Sequence, residues 1–156
     1  MKTILILVGK TTDKHFQAGI TDYAERISHY MPFEIVTISE LKNTKSFSEE
    51  QQKTTEGELI LKQLQPSDTV VLLDEHGREF RSVEYAQWLA RKQQTARRLI
   101  YVIGGPYGFS EAVYARANEK ISLSKMTFSH QMVRLIFTEQ LYRACTIIKG
   151  EPYHHE

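Results

Sequence analysis

The chain is 156 residues long, 41% hydrophobic, and carries 20 lysines and arginines against 19 aspartates and glutamates, a formal net charge of +1. That length suits one domain over residues 1–156, burying roughly two-thirds of its unfolded surface without disulfide staples; the single cysteine, Cys145, has no second thiol to pair with and fits a small core residue in a reducing compartment. Near-neutral charge excludes a global pull toward nucleic acid, so any polyanion partner has to be met by a local patch.

Met1-Lys2-Thr3 is followed by five apolar residues, Ile4 to Val8. This is too short for a secretory signal, and no run approaches the ~20 apolar residues that span a bilayer, which points to a cytoplasmic protein with no membrane partner. Thr3 to Val8 instead predicts a first strand, ending at Gly9. Phe16, Ile20, Tyr23, Ala24, Ile27 and Tyr30 then recur at spacings of three and four, predicting a helix with one apolar stripe. Pro32 ends that helix, and Phe33 to Ile38, alternating and β-branched, predicts a second strand.

The polar segment 42–53 predicts a loop feeding a second helix through about Leu64, with Ser46 and Glu49 in capping-box spacing. Gly57 weakens that helix by about 1 kcal/mol relative to alanine, which points to a close packing or ligand contact. Thr69 to Leu73 reads as a buried strand ending in Asp74-Glu75-His76-Gly77, and Ser82 to Lys92 as a helix with Val83, Ala86, Leu89 and Ala90 inward. Leu99 to Ile103 is another buried strand, closed by Gly104-Gly105-Pro106-Tyr107-Gly108. A short helical segment and the turn Ser122 to Phe128 follow. The last helix, Gln131 to Lys149, carries one stripe of Val133, Ile136, Phe137, Leu141, Ala144, Cys145 and Ile148 and a second apolar line of Met132, Leu135 and Tyr142. Such a helix either is sunk between two layers or forms a homodimer interface.

Alternating strands and helices predict an α/β fold, mainly parallel, with helices on both faces. Glycine-punctuated strand ends are where such sheets place ligands, because backbone can approach without an intervening Cβ. Gly9-Lys10-Thr11 lacks the upstream glycine of a phosphate-binding P-loop, and Gly104 to Gly108 is not a dinucleotide fingerprint. His154-His155 has no accompanying cysteine or acidic cluster with ligand spacing, so no metal is expected. The strand ends at 73–77 and 104–108 and the turn at 122–128 suit a neutral or cationic ligand carrying an adenine, unless they are merely tight turns.

Those residues carry a resemblance. Met31-Pro32-Phe33-Glu34, Glu56-Gly57, Leu73-Asp74 with Gly77, Ile103-Gly104-Gly105 with Gly108, Leu123-Ser124 with Thr127, His130, Arg134, Glu139, Tyr142-Arg143-Ala144 and Pro152-Tyr153-His154 run in order through the chain. Together they resemble the RlmH (YbeA-like) family of small SPOUT-class methyltransferases. At His155 some members carry arginine.

The resemblance implies a SPOUT α/β knot, in which the C-terminal segment threads a loop as a trefoil. It implies S-adenosylmethionine held around Leu73, Gly104, Leu123, Ser124, Lys125, Met126, Thr127 and Phe128. A homodimer is implied, with residues near the partner's surface entering the active site, and the implied reaction is methylation of N3 of a pseudouridine in the helix 69 loop of 23S rRNA within the assembled ribosome. His130, Arg143, Tyr153 and His154 are the catalytic candidates, with His130, His154 and Glu156 as possible proton acceptors; Arg134 and Arg143 either bind RNA phosphate or organise the site. The alternatives are a SPOUT enzyme acting on tRNA or another rRNA base, and a non-catalytic ribosome-associated RNA-binding module.

Overall fold

In the computed structural model, which describes residues 1–155, strands and helices alternate: β1 (Lys2–Val8), α1 (Lys14–Ser28), β2 (Phe33–Ile38), α2 (Glu49–Lys62), β3 (Thr69–Glu79), α3 (Ser82–Thr95), β4 (Arg98–Ile103), α4 (Glu111–Arg116), β5 (Glu119–Ser122) and α5 (Met132–Lys149). The sheet order is β2-β1-β4-β3-β5 and every pairing is parallel. The steps β1 to β2 and β3 to β4 run one way along the sheet, and β2 to β3 and β4 to β5 run the other. Right-handed crossovers therefore put α1 and α3 on one face and α2 and α4 on the opposite face.

The two cores follow this partition. Leu5, Leu7 and Tyr101 point to the face where Ile27, Trp88, Leu89, Phe137 and Leu141 pack; Ile4, Ile6 and Val102 alternate to the face covered by Ile60 and Val113. Covering both faces is what makes the central strands uninterrupted apolar runs.

Three features depart from the sequence reading. The capping box of α2 is built from Ser48 and Gln51, not Ser46 and Glu49: Ser48 Oγ accepts from Gln51 N at 3.1 Å, and Gln51 Oε1 accepts from Ser48 N at 2.8 Å. Ser46 is taken up in a single 3₁₀ turn, Thr44–Ser46. Second, β3 does not stop at Leu73. Residues 74–77 bulge out, so that both Leu73 and Arg78 pair with Ile121 of β5, a four-residue strand too short to announce itself by periodicity. Third, α5 is not sunk between layers. It lies on α1 and α3 with Phe137, Leu141, Ala144 and Cys145 buried, while Met132, Leu135, Ile136 and Tyr142 stay half-buried and Ile148 is exposed. Burial pushes the Cys145 thiol up to about 12, which leaves it an inert core residue.

Candidate active site

Adjacent strands β3 and β4 leave the sheet toward opposite faces, and this divergence opens a crevice beyond their carboxyl ends. A cleft of ≈ 630 Å³ occupies it, within the range of small-molecule sites. Its walls come from three segments: Leu73 to His76 of the β3 bulge, Ile103 to Phe109 after β4, and residues from Ile121 to His130 after β5, with Val133 of α5 behind.

Each segment is held in place locally. Asp74 Oδ1 accepts from His76 N at 2.8 Å and its other oxygen accepts from the Tyr114 hydroxyl, tying the bulge to α4. Burial and the Asp74 carboxylate push the Tyr114 phenol up to about 12, so it remains a donor at neutral pH. The glycine loop is braced from α2. A Cβ on Gly105 would stand 2.7 Å from a Glu56 carboxylate oxygen, and Gly57 packs directly on Ser110, which caps α4 by accepting from Val113 N. Hence the glycine inside α2 marks a close packing contact. In the third segment Ser124 Oγ accepts from Met126 N at 2.9 Å, and Ser124 O accepts from Ser122 Oγ at 2.9 Å, fixing the turn.

The cleft brings together Leu73, Gly104, Leu123, Ser124, Met126, Thr127, Phe128 and His130. Lys125 sits in the same turn, exposed, and is not part of the wall. Tyr107 falls within the expected 104–108 segment, whereas Phe109 and Tyr114 line the cleft without having been expected, because isolated aromatics carry no periodic or spacing signal. The lining combines apolar side chains and backbone with hydroxyls, the imidazoles of His76 and His130 and the carboxylates of Asp74 and Glu75, and has no lysine or arginine. Such a wall repels a polyphosphate and accommodates an aromatic ring with a cationic group.

Arg143, Tyr153 and His154 are gathered elsewhere. Arg143 Nη2 donates to Glu139 Oε1 at 2.5 Å, Nη1 meets His154 Nδ1 at 3.0 Å, and Tyr153 OH donates to Glu139 Oε1 at 2.9 Å. The guanidinium also lies 4.9 Å from the Tyr153 ring centroid. Burial, then the hydroxyl contacts with Tyr23 and Glu139, push the Tyr153 phenol well up, so it serves as a donor. Arg143 is ten residues along α5 from Val133, about 15 Å at helical rise, so in one chain this cluster stands apart from the cleft. Glu156 lies outside the described residues.

Arg134 is wholly buried. Its guanidinium donates to Val8 O at 2.7 Å and to Gly9 O and Thr11 Oγ1 at 2.9 Å each, stitching α5 to the end of β1. That burial removes it as a phosphate contact and gives it a structural role at the end of β1, outside the cleft wall. Among the described residues no group of three or more His, Cys, Asp or Glu is placed to hold a metal, and no helix is long and apolar enough to cross a membrane.

The sheet is parallel, with a cleft free of lysine and arginine beyond its strand ends, and the chain belongs to the SPOUT methyltransferases: a family model described as "Predicted SPOUT methyltransferase" matches residues 1–154. Within that class it groups with the RlmH family. It is 62% identical over 157 residues to a protein of Phocaeicola vulgatus, covering all of both chains, 59% identical over 152 residues to one of Christiangramia forsetii, covering 97% of each, and 53% identical over 157 residues to one of Flavobacterium psychrophilum, covering all of both. Each of the three is named "Ribosomal RNA large subunit methyltransferase H".

Proposed function

We infer that this chain is a cytoplasmic, homodimeric rRNA methyltransferase that uses S-adenosylmethionine to methylate N3 of a pseudouridine in the helix 69 loop of 23S rRNA, acting on the assembled ribosome. The observation that carries the reading is the cleft itself: its lining suits an adenosyl cation, and its three segments are those the family resemblance assigns to the cofactor. The names of the relatives support ribosomal RNA as the acceptor. A trefoil threading of the C-terminal segment belongs to the same proposal.

The chemistry supplied by the bound cofactor is an activated sulfonium methyl. The protein's share is positioning and proton removal, and alignment alone can contribute on the order of 7–11 kcal/mol. Leu73, Ile103, Leu123 and Phe128 would sandwich the adenosine, the 104–105 and 124–127 backbones would meet its polar edges, and Asp74 and Glu75 would face the cationic side.

His130 is the better base for the N3 imide proton. It is exposed at the cleft with no hydrogen bond among the described residues. His154 is less suited, because the lone pair on Nδ1 already faces the Arg143 guanidinium. Arg143, Tyr153 and His154 would instead hold the nucleotide from the partner subunit, closing over a cleft that their own chain leaves about 15 Å away. Half-buried Met132 and Ile136 on α5 belong to the surface such a partner would cover, Leu135 and Tyr142 being seated on α1.

Recognition by ribosome shape fits a protein with so little net charge, since single-nucleotide chemistry on RNA favours exposed loops. Naked rRNA is therefore expected to be a poor substrate. Mass spectrometry of rRNA from a deletion strain tests the assignment: loss of one N3-methylpseudouridine supports it, and an unchanged rRNA with a methyl group missing from tRNA would replace it with the alternative acceptor.

A further inference from the structure

A protein with a formal charge of +1 must meet an RNA polyanion through a local arrangement. We propose that the β1–α1 and β2–α2 loops form that arrangement, a phosphate-binding strip of Lys10, Lys14, Lys42 and Lys45 with Phe47, which grips the RNA backbone flanking the target nucleotide; this rests on the function proposed above.

Position is the first argument. Both loops leave the same carboxyl edge of the sheet as the cleft. Adjacent strands are about 4.8 Å apart, so the ends of β1 and β2 lie roughly 5 and 10 Å from the glycine end of β4, a span of two or three phosphates.

Pairing is the second. Lys10, Lys14, Lys42 and Lys45 are all exposed and none has an ion-pair partner among the described residues. Elsewhere Lys2, Lys92, Arg98 and Arg143 are matched to Glu34, Glu119, Asp68 and Glu139, and other exposed cations such as Lys62 and Arg97 also have no ion pair among the described residues, so it is the grouping of four on the carboxyl edge that distinguishes the strip. Of the acids on this edge, Asp13 caps α1 and Asp74 holds Tyr114 and the His76 amide, while Glu40 is exposed with its side chain against Gly9. Glu50 pairs with Lys53, and Glu49 shares its place in the first turn of α2.

Local chemistry is the third. Lys14 opens α1 in a first turn without acidic residues, where the helix dipole disfavours a cation. Asn43, between Lys42 and Lys45, holds a left-handed φ of 60°. Phe47 leaves 38% of its surface exposed beside them, an apolar face available for a base. Asn tolerates that conformation and the Asp13 cap offsets the Lys14 charge, so what these loops offer is exposed cations beside an exposed ring.

The test uses the full-length protein and large ribosomal subunits from a deletion strain. The triple variant K10Q/K42Q/K45Q is compared with wild type and with K62Q/R97Q, two exposed cations away from the carboxyl edge. Expected are an unchanged unfolding midpoint, unchanged S-adenosylmethionine affinity, a Kd for subunits raised roughly tenfold or more near 0.1 M salt, and a log–log salt slope shallower by about 2, at ~0.7 for each phosphate that the variant no longer neutralises. An unchanged slope, or an equal effect from K62Q/R97Q, overturns the strip. Co-sedimentation reads the strip whether or not methyl transfer occurs, so absent transfer counts against the function and an unchanged slope against the strip.

Discussion

Arg143 and His154 are joined Nη1 to Nδ1 at 3.0 Å, and because a guanidinium can only donate, Nδ1 must be the acceptor and the imidazole proton must sit on Nε2. The C-terminal tail is thereby strapped to α5 through a pair whose second arm is Glu139, which also receives the Tyr153 hydroxyl. Arg143→Ala would free both. Its expected effect is a fall in turnover of roughly 10²-fold or more, the scale on which misplaced positioning groups act, with S-adenosylmethionine affinity within a factor of two or three of wild type. Arg143→Lys keeps the charge without the planar fork and should recover little. Calorimetry beside steady-state kinetics checks this; equal losses of affinity and turnover contradict it.

His130 lines the cleft, and the proposed mechanism makes it the base for the imide proton. His130→Asn should lower kcat by about 10²- to 10⁴-fold, the usual contribution of a general base, while leaving cofactor affinity and the unfolding midpoint unchanged. Single-turnover kinetics on large subunits measures it, and a change confined to KM would reassign His130 to RNA contact.

Glu56 and Gly105 offer a cycle. An alanine at Gly105 places a Cβ 2.7 Å from Glu56 Oε1, so Gly105→Ala must displace either the carboxylate or the glycine loop. Weaker cofactor binding is expected, and Glu56→Ala in the same chain should return part of it, a coupling of about 0.5–3 kcal/mol for touching residues. Calorimetric titration of the four proteins reads the coupling; strict additivity would separate α2 from the site.

The pH dependence of stability has a defined sign at Glu119. Burial opposes its charge, but the hydrogen bonds from Lys92 and Trp88 Nε1 outweigh that and hold its carboxyl below the usual range. A depressed folded-state pKa gives stability above the unfolded value, lost as pH falls through the folded one. Glu119→Gln should therefore lower the urea midpoint at pH 7, with the difference from wild type closing under acid. At Glu56 the sign reverses: burial raises its carboxyl, Gln52 only partly offsets this, and Glu56→Gln should be neutral or stabilising at pH 7 with no gain at low pH.

Arg134→Met removes the donor shared by the carbonyls of Val8 and Gly9 and leaves both buried without it. A loss of about 3 kcal/mol is expected in urea unfolding, the scale for breaking a buried charged hydrogen-bond network. Tight association with ribosomes by the refolded variant would agree with an internal role.

Much of this architecture was legible because buried strands and amphipathic helices write themselves as periodicity: Phe33–Ile38 and the four longer helices fall within a few residues of expectation. β5 escaped because four residues cannot display a period, and the 74–77 bulge because strand continuation beyond a polar loop depends on a partner far along the chain. In the site, the glycine turns and the 122–128 segment were visible as punctuation. A close contact at Gly57 was also legible, but not that Glu56 and Gly57 brace this loop, since α2 reaches it through a crossover over two strands. The choice between two roles for Arg134 stayed open in the sequence for the same reason: its partners include backbone carbonyls more than 120 residues away, which leave no mark in composition.

The most direct measurement is methyl transfer from labelled S-adenosylmethionine to large ribosomal subunits of a deletion strain, followed by nucleoside mass spectrometry. One methyl per subunit, on N3 of a helix 69 pseudouridine and greatly reduced on protein-free rRNA, is the predicted result. Absence of transfer to intact subunits, or equal labelling of naked rRNA and tRNA, would contradict it.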